Sequence, residues 1–456
     1  MPTVPDHGPP RRTGLSRGVA DALTRRPSRR SLLRGGAAAL GAGALAPSLA
    51  ACGSDPSISE DPDELVLWYW NRSASPILLD QAAEQIPGTS KHLRADVIGT
   101  SFDTKLRTSL AGNAYIPDIT YINSNNALYF TNEDLFLDLG ELGADAVRGD
   151  YFDWKWNLGM TPKGRFCFFP LDIGPTGYFF RQDVFEEAGL PTDPAEVGAA
   201  IATWESWIEL GTELKGATGS FLMNDAQAVY EGFLNSSPER YFDTDDTPLY
   251  EKPDSAVRQA WDTAVAAIQA GITARIPRDR GTDQNAAWSS GRTAGQIGAA
   301  WWTQVLEESA PDTGGLWRIA DQPVRAGNSG GSFAALPHTC KDPEAALAFV
   351  MWINSPENQA IAYDDVQLFP STPGSFDSPK MAYDGDFYGD QNPLDFFSAA
   401  AETVPSSFIS TWETVIGGSF SLEITNVETS GKDPEQAWDD AVAQAAKVLT
   451  KRGVEA

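Results

Sequence analysis

The chain has 456 residues, 34 basic against 62 acidic, and a formal net charge of −28 at neutral pH. Residues 1–51 read as a leader; removing them takes away eight Arg and two acids and leaves the rest at −34. That acidity opposes a role on nucleic acid, on an anionic lipid surface or around a polyanionic ligand.

In chain order, Ser28-Arg29-Arg30-Ser31-Leu32-Leu33-Arg34 comes first, followed by an Ala/Gly/Leu run from Gly35 to Ala51. A charged start, a short apolar stretch and small residues before a cut describe an export signal, and the two arginines predict the twin-arginine route for folded proteins. Leu49-Ala50-Ala51-Cys52 resembles the lipobox of bacterial lipoproteins, which implies a diacylglycerol on Cys52 and a domain anchored on the outer face of the cell membrane. No later apolar run reaches transmembrane length, which argues against helix-built pores and integral transporters. Residues 52–64 are polar, acidic and Pro-containing, and are expected to form a flexible tether.

About 400 residues then remain, more than one hydrophobic core usually serves, so two lobes are expected. Leu65–Trp70 is an apolar β-forming run that fits a buried first strand. A helix follows through Gln85, a strand at Leu93–Ile98, an amphipathic helix at Phe102–Leu110 stopped by Gly112-Asn113, and a third strand at Ile116–Ile122. Strand and helix alternating at this spacing imply βαβ units and a mostly parallel sheet. Arg165–Asp172 reads as another strand, broken by Gly174-Pro175 and resumed at Tyr178-Phe179-Phe180. Helices are expected at Gln182–Ala188, Trp204–Leu214, Ala226–Leu234, Ala256–Ala270, Pro343–Asn354 and Pro434–Leu449, and a surface loop at Gly374–Pro393.

Five segments in order carry a family resemblance. They are Leu110–Ile119 with Phe136-Leu137-Asp138-Leu139; Phe169–Leu190 with Ala202-Thr203-Trp204; Trp288–Trp301; Gly330-Gly331-Ser332 leading to Lys341–Ala346 and Ser355-Pro356-Glu357; and Gly431–Ala437. Together they resemble the extracellular solute-binding proteins of ABC importers, the family that includes maltose-binding protein. The match runs over residues 65–450, with Arg181 in place of the usual Asn and Gly295 in place of the usual Met.

The resemblance implies an α/β fold of two lobes, each a mostly parallel sheet flanked by helices. The chain would cross between them three times through a hinge. Lobe 1 is expected at 65–175 plus 300–365, lobe 2 at 176–299 plus 366–456. It also implies a monomer that binds its ligand in the cleft, hands it to permease subunits and needs no cofactor.

Loops at the C-terminal edge of such strands line the ligand crevice. They carry Trp70 and Asn71, then Asn123 and Asn125, then Asp172. An aromatic face beside amide and carboxylate acceptors suits a sugar. Asp172 reads equally well as a turn residue held by backbone amides. Of Trp301 and Trp302, neighbours on one segment, one is expected to face the cleft and the other the lobe interior. Gln227 and Tyr230, one helical turn apart, Ser332, and Trp412 complete the expected ligand contacts, with core packing the rival for Tyr230 and Trp412.

Fourteen Trp against three His favour aromatic platforms over metal chemistry. No zinc, calcium-hand, phosphate-loop or nucleophile-elbow pattern occurs. Cys167 and Cys340 read as a disulfide or as two separate thiols. An exported glycoside hydrolase, or the same scaffold holding a non-sugar such as a polyamine, fits the aromatic, acidic composition too.

Overall fold

The structure, a computed structural model, describes residues 58–277 and 281–454. The expected leader, Cys52 and the first part of the tether lie outside these residues. The tether ends sooner than expected. Ile58 rests on a hydrophobic core, Ser59 is buried, and Lys341 Nζ donates to the carbonyls of Asp61 (3.0 Å) and Glu64 (2.7 Å).

The described residues form strands β1 (Glu64–Tyr69), β2 (His92–Val97), β3 (Ile119–Ile122), β4 (Phe169–Pro170), β5 (Thr176–Arg181), β6 (Gly295–Ala299), β7 (Trp317–Ala320) and β8 (Phe333–Ala335). The first sheet has the order β2-β1-β3-β8-β4. β1 pairs in parallel with β2 and β3, as βαβ units require, while β8 runs against both β3 and β4. Side chains alternate between its faces. Leu65, Leu67, Ile119, Tyr121 and Ala334 enter one core, and Val66, Trp68, Ile122, Phe333 and Ala335 enter the other. With both faces covered, β1 has no polar face, which is why it reads as an uninterrupted apolar run. The strand expected over Arg165–Asp172 joins the sheet at Phe169 and Pro170, while Phe166 and Asp172 form isolated bridges to Met160 and Pro370.

The second sheet, β6-β5-β7, departs from the expected mostly parallel arrangement, because both of its pairings are antiparallel. Helices between β5 and β6 follow one another without intervening long strands, so no βαβ unit forms. Among the described residues of this lobe, parallel pairing survives as the bridges Phe221–Thr293 and Met223–Thr273. Tyr178, Phe180 and Ile297 face the main core of this lobe, and Phe179, Trp317 and Ile319 face a third core. β7 belongs to this sheet, so the chain stays in the second lobe through Ala320 and rejoins the first at β8. The expected return at residue 300 is corrected accordingly.

Helix positions follow the sequence closely; Ala256–Ala270 is one case, capped by the Ser255 side chain. Helices at Pro194–Ala200, Thr282–Ser289, Trp302–Ser309, Pro356–Val366 and Pro393–Thr403 are not among those expected, and two further segments differ. Thr411–Ser430 is a 20-residue helix. The stretch 374–393 is irregular yet packs inward: Met381, Phe387 and Tyr388 are buried, and Tyr388 Oη donates to the Thr303 carbonyl at 2.8 Å.

Three crossings lie side by side between the sheets. Leu171 N donates to the Ser332 carbonyl at 3.0 Å, Ser329 N to the Gly174 carbonyl at 2.8 Å, and Ile173 N to the Phe369 carbonyl at 2.9 Å. Gly174 is required here, because a Cβ would lie 2.1 Å from the Ser329 carbonyl oxygen. Gly331 sits at φ +81°, where a side chain is strained, and packs against the Asp172 carbonyl.

Candidate functional site

A cavity of about 330 Å³ opens between the lobes beside these crossings. The first lobe contributes Asn125 and Asn126, just past the end of β3, and Trp154, Lys155 and Leu158 from the short helix Asp153–Leu158. The second contributes Tyr230 and Glu231 from helix Ala226–Asn235, and Glu413 from helix Thr411–Ser430. A second hollow of about 540 Å³ shares Glu231 with the first and is walled by Gln227, Trp301, Trp302 and Ser329. Trp301 and Trp302 stack with centroids 5.1 Å apart at 26°. Trp301 is half-buried and donates its indole N–H to the Ser329 carbonyl at 2.9 Å, while Trp302 is buried in the third core. Both tryptophans border the hollow, Trp301 half-buried with its ring held in place and Trp302 more deeply buried against it.

Polar groups around the main cavity fall into two sets. On the second-lobe side, Arg240 donates through Nε to Glu413 Oε1 at 3.0 Å and through Nη1 to the Leu234 carbonyl at 2.8 Å. Tyr230 and Tyr241 share a hydroxyl hydrogen bond of 2.5 Å, and burial, the largest influence, raises both phenols above their ordinary range. On the opposite side Lys155 is fully buried and Nζ has no hydrogen-bond partner. Its ammonium lies 3.5 Å from the centre of the Phe333 ring. Burial lowers Lys155 from 10.5 to about 7, although the Asp172 charge pulls the other way. Asn125 Oδ1 and Glu413 Oε2 are likewise buried without a partner. Three residues that line the cavity therefore each hold a buried polar atom without a partner, one a donor and two acceptors.

The expected site residues divide into four groups. Trp70, Asn71 and Asn123 gather at the ends of β1 and β3, in a third hollow of about 510 Å³ floored by Phe102; Trp70 meets Phe102 edge-on at 5.2 Å. Asn125 and Tyr230 line the main cavity. Gln227, Trp301 and Trp302 line the second hollow, with Gln227 Nε2 donating to Glu231 Oε1 at 2.7 Å. Asp172, Ser332 and Trp412 line none of the three. Asp172 Oδ1 accepts from Ser332 N at 2.8 Å and from Ser332 Oγ, so this pair ties two crossings together. Trp412 packs against the second-lobe core. Cys167 and Cys340 are two separate free thiols, both buried, and burial pushes each up to about 12.

Comparison with known proteins agrees with this architecture. The profile of the family described as bacterial extracellular solute-binding protein matches residues 100–388. The chain belongs to that family. A curated relative, the lactose-binding protein of Rhizobium radiobacter, is 27% identical over 400 residues, covering 83% of this chain and 87% of its own. A crystal structure described as extracellular solute-binding protein family 1 superposes with a TM-score of 0.79 at 26% identity, covering 84% of this chain and 99% of that one. The galacto-N-biose-/lacto-N-biose I-binding protein of an ABC transporter from Bifidobacterium longum shares the fold, with a TM-score of 0.69 at 18% identity over 86% of this chain and 98% of its own.

In this solute-binding protein Lys155, Glu413 and Arg240 escaped the sequence reading. Lys155 sits in Trp154-Lys155-Trp156, a pattern of ordinary amphipathic packing, and only the tertiary fold sends the Lys inward. Glu413 and Arg240 are 173 residues apart, and no local spacing links them.

Proposed function

We propose that this protein is the lipid-anchored receptor of an ABC importer, which captures a carbohydrate between its lobes and delivers it to a permease without covalent chemistry. The observation that carries the reading is the set of unmatched polar atoms around the main cavity, Lys155 Nζ, Asn125 Oδ1 and Glu413 Oε2, next to the stacked Trp301–Trp302 pair. Buried polar groups without partners are costly, so they mark where a ligand completes the bonding. Sugar hydroxyls both donate and accept, which serves a donor and two acceptors at once, and sugar C–H faces stack on indole rings. The sugar-binding names of the lactose-binding relative and of the Bifidobacterium longum neighbour support the same class of ligand.

Closure favours the bound form because a sugar touching both lobes has contacts that an open form lacks. Titration calorimetry with an oligosaccharide panel tests the reading: saturable binding with no reducing ends released is expected. Absence of binding by every neutral and acidic sugar would overturn it, and released reducing ends would make the protein a glycosidase. The twin-arginine leader and the lipid on Cys52 belong to the same proposal. Cys52→Ala should leave unprocessed precursor or free protein in the medium, whereas unchanged membrane fractionation would remove the anchor from the proposal.

A further inference from the structure

We propose that Lys155 is a ligand contact of the cleft, its Nζ donating to an acceptor on the bound sugar, so that capture draws a proton onto the protein in mildly alkaline medium. The proposal rests on the carbohydrate reading and adds a residue and a linkage to it.

The geometry is the starting point. Lys155 lines the main cavity, is fully buried, and leaves three N–H donors unused. The face of Phe333 shelters the ammonium without accepting a hydrogen bond, and Gly331, at φ +81°, lets the backbone pack close against it, since a Cβ there would come within 3.1 Å of Nζ. A buried ammonium normally sits against a carboxylate. The charged groups around this one are all otherwise engaged or elsewhere. Asp172 spends Oδ1 on Ser332, Glu413 spends Oε1 on Arg240, and Glu231 holds the Gln227 amide across the cavity. Arg240, also on the cavity, is a cation, and the Tyr230 and Tyr241 hydroxyls are bonded to each other. No carboxylate of the protein lies within ion-pair distance of Lys155 Nζ among the described residues.

A sugar hydroxyl or ring oxygen set against Nζ favours the charged ammonium. The empty protein holds Lys155 near about 7, far below the ordinary 10.5. Below that value the proton is already present and binding is insensitive to pH. Above it the site must take up a proton as the sugar enters, and affinity falls by about tenfold per pH unit until the bound state titrates as well. A Lys that merely packed the core would show the reverse set of properties, with loss of stability on replacement and no proton linkage.

The test uses the purified protein and the tightest binder among lactose, β-1,6-galactobiose and maltose, titrated by calorimetry between pH 6 and 9. Buffers of different ionisation heat report the protons taken up. The expected result is constant affinity up to about pH 7, a decline above it, and uptake approaching one proton per sugar near pH 8.5. Lys155→Met should weaken binding at pH 6 by at least about tenfold, abolish the uptake, and leave the empty protein melting no lower than the native one. Lack of proton uptake by the native protein, or native affinity in Lys155→Met, would overturn the proposal while the carbohydrate reading stands. Should the Met variant fail to fold, the uptake by the native protein decides alone. Failure of all three sugars to bind would remove the carbohydrate reading for these ligands and the proposal with it.

Discussion

Arg240 and Lys155 border the same cavity from opposite lobes, and their surroundings differ in kind. Each nitrogen of Arg240 donates to a group of its own lobe, with Glu413, Leu234 and Asn235 as acceptors. Lys155 has no acceptor. A satisfied buried cation holds one wall in a fixed shape, because removing either partner strands a charge. An unsatisfied one costs stability in the empty protein and gains its acceptor only when something enters. A related contrast separates Trp302, buried in the third core, from Trp301, which is only half-buried on the wall that both share at the second hollow.

Removing the fixed side of the comparison should have the largest effect. Arg240→Ala leaves Glu413 buried beside no cation and is expected to cost about 3–5 kcal/mol of folding stability, read as a lower denaturation midpoint. If the variant instead unfolds like the native protein but binds sugar poorly, Arg240 reads the ligand and the two walls are alike.

The tryptophan pair sharpens the contrast. Trp302→Ala opens a void in the third core and should cost about 3–5 kcal/mol in stability. Trp301→Ala should leave the melting curve of the empty protein nearly unchanged and weaken sugar binding by about 1–3 kcal/mol. Equal stability losses in both variants would assign Trp301 to the core.

The pH dependence of the empty protein isolates Lys155. Its folded value of about 7 lies below the ordinary 10.5 that the unfolded chain retains. Between these values the unfolded chain holds a proton that the folded chain has shed, so this group makes stability rise with pH across that window. Below about pH 7 the full cost of burying the charge remains. Lys155→Met should therefore stabilise the empty protein by about 1–4 kcal/mol at pH 6 and by less at pH 9, measured by denaturant titration at both values.

Much of the fold was legible in local pattern. The apolar run Leu65–Trp68 and the periodic helices name themselves, because burial on two faces or one leaves a mark in consecutive residues. The helix Thr411–Ser430 did not, since Gly417-Gly418 and its Thr, Val and Ile residues have low helix propensity, and packing against helix Pro434–Lys451 overrides it. The antiparallel second sheet was hidden for a related reason: strand direction is set by where a chain returns, which alternation does not encode. Topology was enough to expect the strand-end residues and the Trp301–Trp302 step beside hollows, and Trp70, Asn71, Asn123, Trp301 and Trp302 do border them. Asp172 was found as a special position but proves to be bonded to Ser332, and Lys155 was masked by its flanking tryptophans.

The smallest expected effect lies at the surface, where Arg72 after β1 meets Glu308 of helix Trp302–Ser309 at 3.2 Å and joins the two lobes. Both side chains are well exposed, 43% and 59%. The pair is the outer counterpart of the buried contrast, since each partner keeps its water when the other leaves. Such a pair contributes about 0.2–1 kcal/mol and is weakened by salt. Arg72→Ala should hence leave the thermal midpoint within a degree or two of native. Because the bridge spans the two lobes, the variant should also dissociate sugar slightly faster, by less than about fivefold, and the difference should vanish at 1 M salt. Stopped-flow release at low and high salt measures it. A large, salt-independent increase in release rate would mean that Arg72 touches the ligand, and would move the binding site outward to the hollow formed by Trp70, Asn71 and Asn123.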